Sequence, residues 1–139
     1  MKKSIFLLLL LFFTLPLFAS KEARFMRYPD VNKDKIIFTY EGDLWESSLT
    51  GGIARRLTNA PGYEFAAKYS PDGKFIAFTA SYDGSQNVYL MPTGGGEIKR
   101  LTYSPGGVQT LAWTPDGKKI IFRSMMDNYI GRDPALYSI

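Results

Sequence analysis

Tyr69-Ser70-Pro71-Asp72-Gly73-Lys74 returns 44 residues later as Trp113-Thr114-Pro115-Asp116-Gly117-Lys118. The same shift carries Arg56-Leu57-Thr58 onto Arg100-Leu101-Thr102, Gly51-Gly52 onto Gly95-Gly96, and Leu44-Trp45 onto Val88-Tyr89. Four landmarks at one offset define an internal repeat, and a period of this length is that of a propeller or another repeat array. A looser first copy opens at Tyr28-Pro29-Asp30, where Lys35-Ile36-Ile37-Phe38 matches Lys74-Phe75-Ile76-Ala77-Phe78 after a further residue of turn.

Within each copy the pattern is strand, turn, strand, turn, and apolar residues never recur at helical spacing for more than one turn. Lys35 to Tyr40, Phe75 to Ala80 and Lys119 to Ser124 are runs rich in β-branched and aromatic residues bounded by turn formers, which predicts second strands of three sheets. Ser70-Pro71-Asp72-Gly73 suits a type I turn: proline holds φ, and glycine is free to take positive φ as the next strand starts. Asp83-Gly84 then turns into a third strand, Asn87 to Met91, and Thr93 to Gly96 into a fourth, Ile98 to Thr102. Four antiparallel strands per repeat make a propeller blade. The expected fold is therefore all-β: a β-propeller fragment of about two and a half four-stranded blades, spanning about 25–68, 69–112 and an incomplete 113–139. One blade cannot bury both faces alone and closure takes about four to eight, so an incomplete ring is expected, ending in the third strand Ala135-Leu136-Tyr137-Ser138-Ile139.

Ahead of the repeats, Lys2 and Lys3 precede an apolar run from Ile5 to Leu17 and then Phe18-Ala19-Ser20. That is the build of a secretory signal over residues 1–20, expected as a helix and cut after Ala19. That run is thirteen residues long, short of the roughly 20 needed to cross a bilayer core, so no stable membrane anchor is expected. The expected location is exported, periplasmic or extracellular.

Composition narrows the chemistry. The chain has neither cysteine nor histidine, so no disulfide can form, and Ser-His-Asp and Cys-His arrangements and most zinc sites are excluded. The formal charge of +4 falls to +2 without Lys2 and Lys3, which does not suggest a nucleic-acid partner.

Several candidate sites have plainer readings. Asp30-x-Asn32-x-Asp34 with Glu41 has the carboxylate spacing of a calcium loop, but Lys35 stands where that loop needs glycine, and a hairpin turn fits better. Asp72 and Asp116 form a potential acid–base pair only if they leave the turns they occupy. Gly94-Gly95-Gly96 precedes a strand, not the helix a phosphate cradle requires. Ser47, Ser48, Ser81 and Ser124 have no G-x-S-x-G context, so they read as strand or loop hydroxyls. Arg55-Arg56 and Lys99-Arg100 read as exposed faces, and Trp45, Tyr69, Tyr89 and Trp113 as core between blades. The third copy is longer than the second between Met125 and Pro134, and added loop length is where binding surfaces sit. Arg123, Asp127, Tyr129 and Arg132 are the residues expected to line an entrance or docking face there. No catalytic residue, cofactor or metal is assigned.

Arg27-Tyr28-Pro29-Asp30, Asp43-Leu44-Trp45-Glu46 and Gly51-Gly52-Ile53-Ala54-Arg55-Arg56-Leu57-Thr58 resemble the opening blade of tricorn-type proteases. Tyr82-Asp83-Gly84, Asn87-Val88-Tyr89-Leu90-Met91-Pro92, Gly95 to Tyr103 and Trp113 to Lys119 are similar to the exported bacterial relatives of that family. The resemblance implies a large serine peptidase in which two propellers precede a catalytic region with a PDZ-like module and guide peptides to it. The partners so implied are peptide substrates and the rest of the propeller and peptidase region. None of the family's catalytic residues maps onto this chain. The archaeal members are cytoplasmic, whereas this chain opens with an export signal. The Pro-Asp-Gly element is also shared with the TolB propeller, which would imply a periplasmic module binding protein partners, and with propellers of amidohydrolases and oligopeptidases.

Overall fold

The computed structural model describes residues 25–126 and 133–139; the expected signal helix lies outside them. Among the described residues, eleven strands form three antiparallel sheets. The first joins β1 (Arg27–Asn32), β2 (Lys35–Tyr40), β3 (Asp43–Ser48) and β4 (Arg55–Arg56) in that order. The second joins β5 (Glu64–Tyr69), β6 (Phe75–Ala80), β7 (Asn87–Pro92) and β8 (Lys99–Arg100) likewise. The third has β9 (Val108–Trp113), β10 (Ile120–Ser124) and β11 (Ala135–Ser138), with β10 in the middle.

The second strands fall where the apolar runs put them. The breaks between sheets do not: β5 and β9 open the second and third sheets, so residues 64–68 and 108–112 belong to the sheet that follows, not to the copy that precedes. A repeat fixes a period without fixing its phase, and the Pro-Asp-Gly turn lies after the first strand of each sheet.

The turns follow their residues. Gly73 N–H donates to the Ser70 carbonyl (2.8 Å) at φ +73°. A Cβ there would come within 2.9 Å of Asn32 Oδ1 in the neighbouring sheet, so glycine serves both the turn and the close approach. Gly117 repeats the bond to Thr114. Glu41 and Gly42, both at positive φ, join β2 to β3 in the two-residue geometry that matches strand twist.

Packing depends on both faces of the second sheet. Ile76, Phe78, Tyr89 and Met91 meet Ile37 and Leu44 of the first sheet, while Ala77 and Val88 meet Val108, Ile120 and Phe122 of the third. Five of the six β6 residues are buried, as a strand covered on two sides requires. Of the four aromatics expected between sheets, Tyr69 and Tyr89 lie in the first of these cores and Trp113 packs against the second. Trp45 lies in neither; half-buried, it meets Tyr40 edge-on within its own sheet.

The sheets converge on their first strands, since β1 packs against β5 and β5 against β9. Each first strand carries one residue more than its partner across a bulge, between Arg27 and Asp30, between Phe65 and Lys68, and opposite Ile121 and Phe122. Bulges bend and twist a strand. Polar ties cross these seams: Asp30 accepts from Lys68 Nζ (3.0 Å) and from the Tyr69 amide (2.9 Å), and Trp113 Nε1 donates to the Lys68 carbonyl (3.0 Å). Between the second and third sheets, buried Thr79 Oγ1 accepts the Thr110 amide (2.8 Å) and lies 3.1 Å from the Thr110 hydroxyl. Thr79→Val keeps the shape but leaves that amide unpaired in the seam, which should cost about 1–3 kcal/mol. Denaturant unfolding of the variant against the wild type measures it.

Candidate functional site

Antiparallel connectivity sorts the loops into two ends. The Pro-Asp-Gly turns lie at one end. The β2–β3, β4–β5, β6–β7, β8–β9 and β10–β11 connections lie at the other, where each first strand begins. At the Pro-Asp-Gly end, Asp72 accepts from Ser70 Oγ (2.6 Å) and the Lys74 amide (3.0 Å), and Asp116 accepts likewise from Thr114 Oγ1 (2.6 Å) and the Lys118 amide (3.1 Å). Those hydroxyl bonds first, and the amides second, hold both carboxyls below their ordinary range. They are turn-forming anions in separate sheets, not a pair.

The calcium-like set is pulled apart. Asp30 and Asn32 bond across to the second sheet, Asn32 Nδ2 reaching the Ser70 carbonyl at 3.4 Å. Asp34 and Glu41 flank opposite ends of six-residue β2, about 20 Å of extended chain. The serines also have local partners. Ser81 Oγ accepts the Tyr63 amide (3.2 Å), Ser124 Oγ donates to the Gly107 carbonyl (2.8 Å), and Ser48 Oγ lies 2.7 Å from Thr50 Oγ1.

The opposite end holds a carboxylate that sequence reading missed. Glu64, at the start of β5, is fully buried and accepts from the Leu44 amide (3.2 Å), from Thr58 Oγ1 and from Tyr82 Oη (2.6 Å). Burial pushes its carboxyl upward; the hydrogen bonds from Thr58, Tyr82 and Leu44 oppose that shift, and the charge of Asp43 adds to it. Burial and the bond to Glu64 likewise raise the Tyr82 phenol. Thr58 Oγ1 also takes the Leu44 amide (2.9 Å), while Arg56 donates through Nε to the Thr58 carbonyl (2.8 Å) and pairs through Nη2 with Asp43 (2.7 Å). The Arg-Leu-Thr repeat thus has a structural job. In the next copy Thr102 Oγ1 takes the Val88 amide (2.9 Å) and Arg100 Nε bonds the Thr102 carbonyl (2.8 Å). There Asn87 and Val108 stand where Asp43 and Glu64 stood. Arg100, expected on an exposed face, folds over Tyr103 at 4.5 Å and pairs with Asp83 (2.7 Å).

Two concavities open at this same end, at matching places in the first and third sheets. Arg27 sits opposite Thr39 as Gln109 sits opposite Arg123, and the middle sheet has Phe65 opposite Thr79. The cavity of the third sheet, about 270 Å³, is lined by Gln109, Arg123 and Gln86 among others. Arg123 Nε and Nη2 both reach Gln109 Oε1, at 2.9 and 2.5 Å. Of the four residues expected at an entrance, Arg123 is therefore at this face; Asp127, Tyr129 and Arg132 lie outside the described residues. The cavity of the first sheet, about 360 Å³, is walled by Phe25, Arg27, Thr39, Tyr40 and Tyr63. In the middle sheet the Phe65 ring occupies this position, packed on Tyr28 and Tyr63 at 5.4 and 5.6 Å.

Residues 23–139 match the family model of the tricorn protease N-terminal β-propeller domain. The chain belongs to this family. Tricorn protease homolog 1 of Streptomyces coelicolor is 37% identical over 73 residues, covering 51% of this chain and 7% of the relative. The tricorn protease of Thermoplasma acidophilum is 37% identical over 59 residues, 42% of this chain and 6% of its own. The chain thus spans under a tenth of these curated relatives. Among solved structures, the tricorn protease superposes with a TM-score of 0.70 at 29% identity, covering 82% of this chain and 12% of that one. TolB from Acinetobacter baumannii gives 0.65 at 29% identity, covering 81% and 29%.

The tricorn-type seam between the first and second sheets should respond to pH through Glu64. A carboxyl raised in the folded state stabilises fully below its unfolded value, near 4.5, and loses that contribution as pH rises through the folded value. Glu64→Gln should flatten this slope above pH 4.5, read as unfolding midpoint against pH.

Proposed function

We propose that this chain forms the amino-end part of a propeller in a larger tricorn-like serine peptidase, and that the face with the Arg27 and Arg123 cavities guides peptides toward a catalytic region elsewhere in that protein. Family membership across residues 23–139 carries the reading. The described residues support a binding role over a chemical one, because the Ser48, Ser81 and Ser124 hydroxyls bond other hydroxyls or backbone groups and the one fully buried carboxylate has no open approach. Met125 and Pro134, the two ends of the third-copy extension, line the Arg123 cavity, which suits a guide or gate.

Export follows from the first twenty residues, with the mature chain starting at Ser20 in the periplasm or outside the cell. A second reading, a TolB-like module that binds protein partners without peptidase chemistry, draws on the likeness to TolB at 29% identity.

Replacing Met125–Pro134 by a four-residue turn in the full-length protein should slow hydrolysis of long peptides several-fold and leave a tripeptide-sized reporter unaffected. Equal rates on both would remove the guiding role, and no hydrolysis by the wild type would favour the TolB-like reading. Sequencing of the exported protein should give Ser20 as its first residue; retention of Met1 would contradict the export signal.

A further inference from the structure

The Arg27 cavity differs from the rest of the face in one respect. Thr39 and Thr79 are structural equivalents, opposite Leu44 and Val88 in their sheets, and both are buried. Thr79 uses its hydroxyl on Thr110 of the next sheet. Thr39 has no such use: the residue 44 before Thr110 is Ala66, which lacks a hydroxyl and sits in the bulge at φ +52°. Thr39 Oγ1 is left buried without a partner, and Thr39 is among the residues that line a cavity of about 360 Å³. Buried hydroxyls are rarely left unpaired, and an orphan beside an open cavity points to a bonding partner that comes from outside. The volume falls in the lower part of the usual ligand range of about 300–1,000 Å³.

The remaining walls set the chemistry. Tyr63 is braced by Phe65 (5.6 Å between ring centroids), so an aromatic wall is held before anything binds, and Phe25 lines the same cavity. Arg27, paired in register with Thr39, supplies a planar cation suited to stacking on a ring face. Glu41 at the mouth adds a carboxylate. Rings and a guanidinium favour a flat aromatic group; a buried hydroxyl favours one that has a polar tip. We infer that this cavity is a side-chain subsite for aromatic residues of peptides, with tyrosine preferred over phenylalanine because its phenol pairs with Thr39 Oγ1. The choice of a peptide as ligand rests on the guiding role proposed above; the preference for a ring with a polar tip rests on the cavity alone.

The test uses the full-length protein and three small probes, N-acetyl-tyrosinamide, N-acetyl-phenylalaninamide and N-acetyl-leucinamide, titrated by ligand-observed NMR. The wild type should bind the tyrosine amide roughly three- to tenfold tighter than the phenylalanine amide, the worth of one hydrogen bond, and the leucine amide weakest. Thr39→Val should bring the first two together without weakening the phenylalanine amide, and Tyr63→Ala should draw both toward leucine. Equal binding of the three amides by the wild type, or a tyrosine preference that survives Thr39→Val, overturns the assignment. Amide binding needs no turnover, so the two ideas separate: the preference with long-peptide hydrolysis insensitive to Tyr63→Ala upholds the subsite and removes the guiding role.

Discussion

A sheet that is apolar on both sides must be covered on both sides, and the second sheet imposes that demand on everything around it. Ile76 and Phe78 of β6 point one way and Ala77 the other, each side chain fully buried. Leaving either face wet would expose side chains worth roughly 1.5–3 kcal/mol apiece when buried, against a net folding stability of about 5–15 kcal/mol for a whole domain. Stacking of sheets is therefore a condition of the fold, and the seams between them are where polar chemistry has to be arranged.

Those seams are narrow at the first strands, and there the polar ties concentrate. Asp30 and Trp113 Nε1 join the first strands of neighbouring sheets, and the Thr79–Thr110 pair joins a second strand to the first strand of the next sheet. Bulges in all three first strands make these contacts sheet-specific, because an added residue changes which side chain meets which amide across the seam. The face formed where the first strands begin inherits this variety: a cavity beside Arg27, a filled position at Phe65 and a second cavity beside Arg123.

The repeat, the second strands and the turns were legible in the sequence because each depends on neighbours within a few residues. Ser70-Pro71-Asp72-Gly73 builds its turn from the Ser70 hydroxyl and the Asp72 carboxylate, so the hexapeptide carries its own conformation. The sheet boundaries were not legible, since a 44-residue period has no marked origin. Arg100 looked exposed because strand alternation says nothing about a carbonyl two residues further on, to which its Nε folds back. Nothing within Glu64-Phe65-Ala66-Ala67-Lys68-Tyr69 marks Glu64, because its burial depends on Leu44 of the preceding sheet and Thr58 just beyond it. Comparing it with Val108 one period on would have exposed the substitution. The Arg27 and Thr39 pairing was hidden by the bulge between Arg27 and Asp30, which strand patterns do not reveal.

The exchange of Glu64 and Asp43 for Val108 and Asn87 gives each seam its own identity. Modules of nearly the same outline risk docking out of order or trading places between copies of a chain. Here a misplaced third module would leave Thr58 facing Val108, which accepts no hydrogen bond, and a misplaced second would thrust the Glu64 carboxylate against Asn87. The order of assembly is thereby written into buried polarity, leaving the shared hydrophobic outline free to stay almost the same from one module to the next.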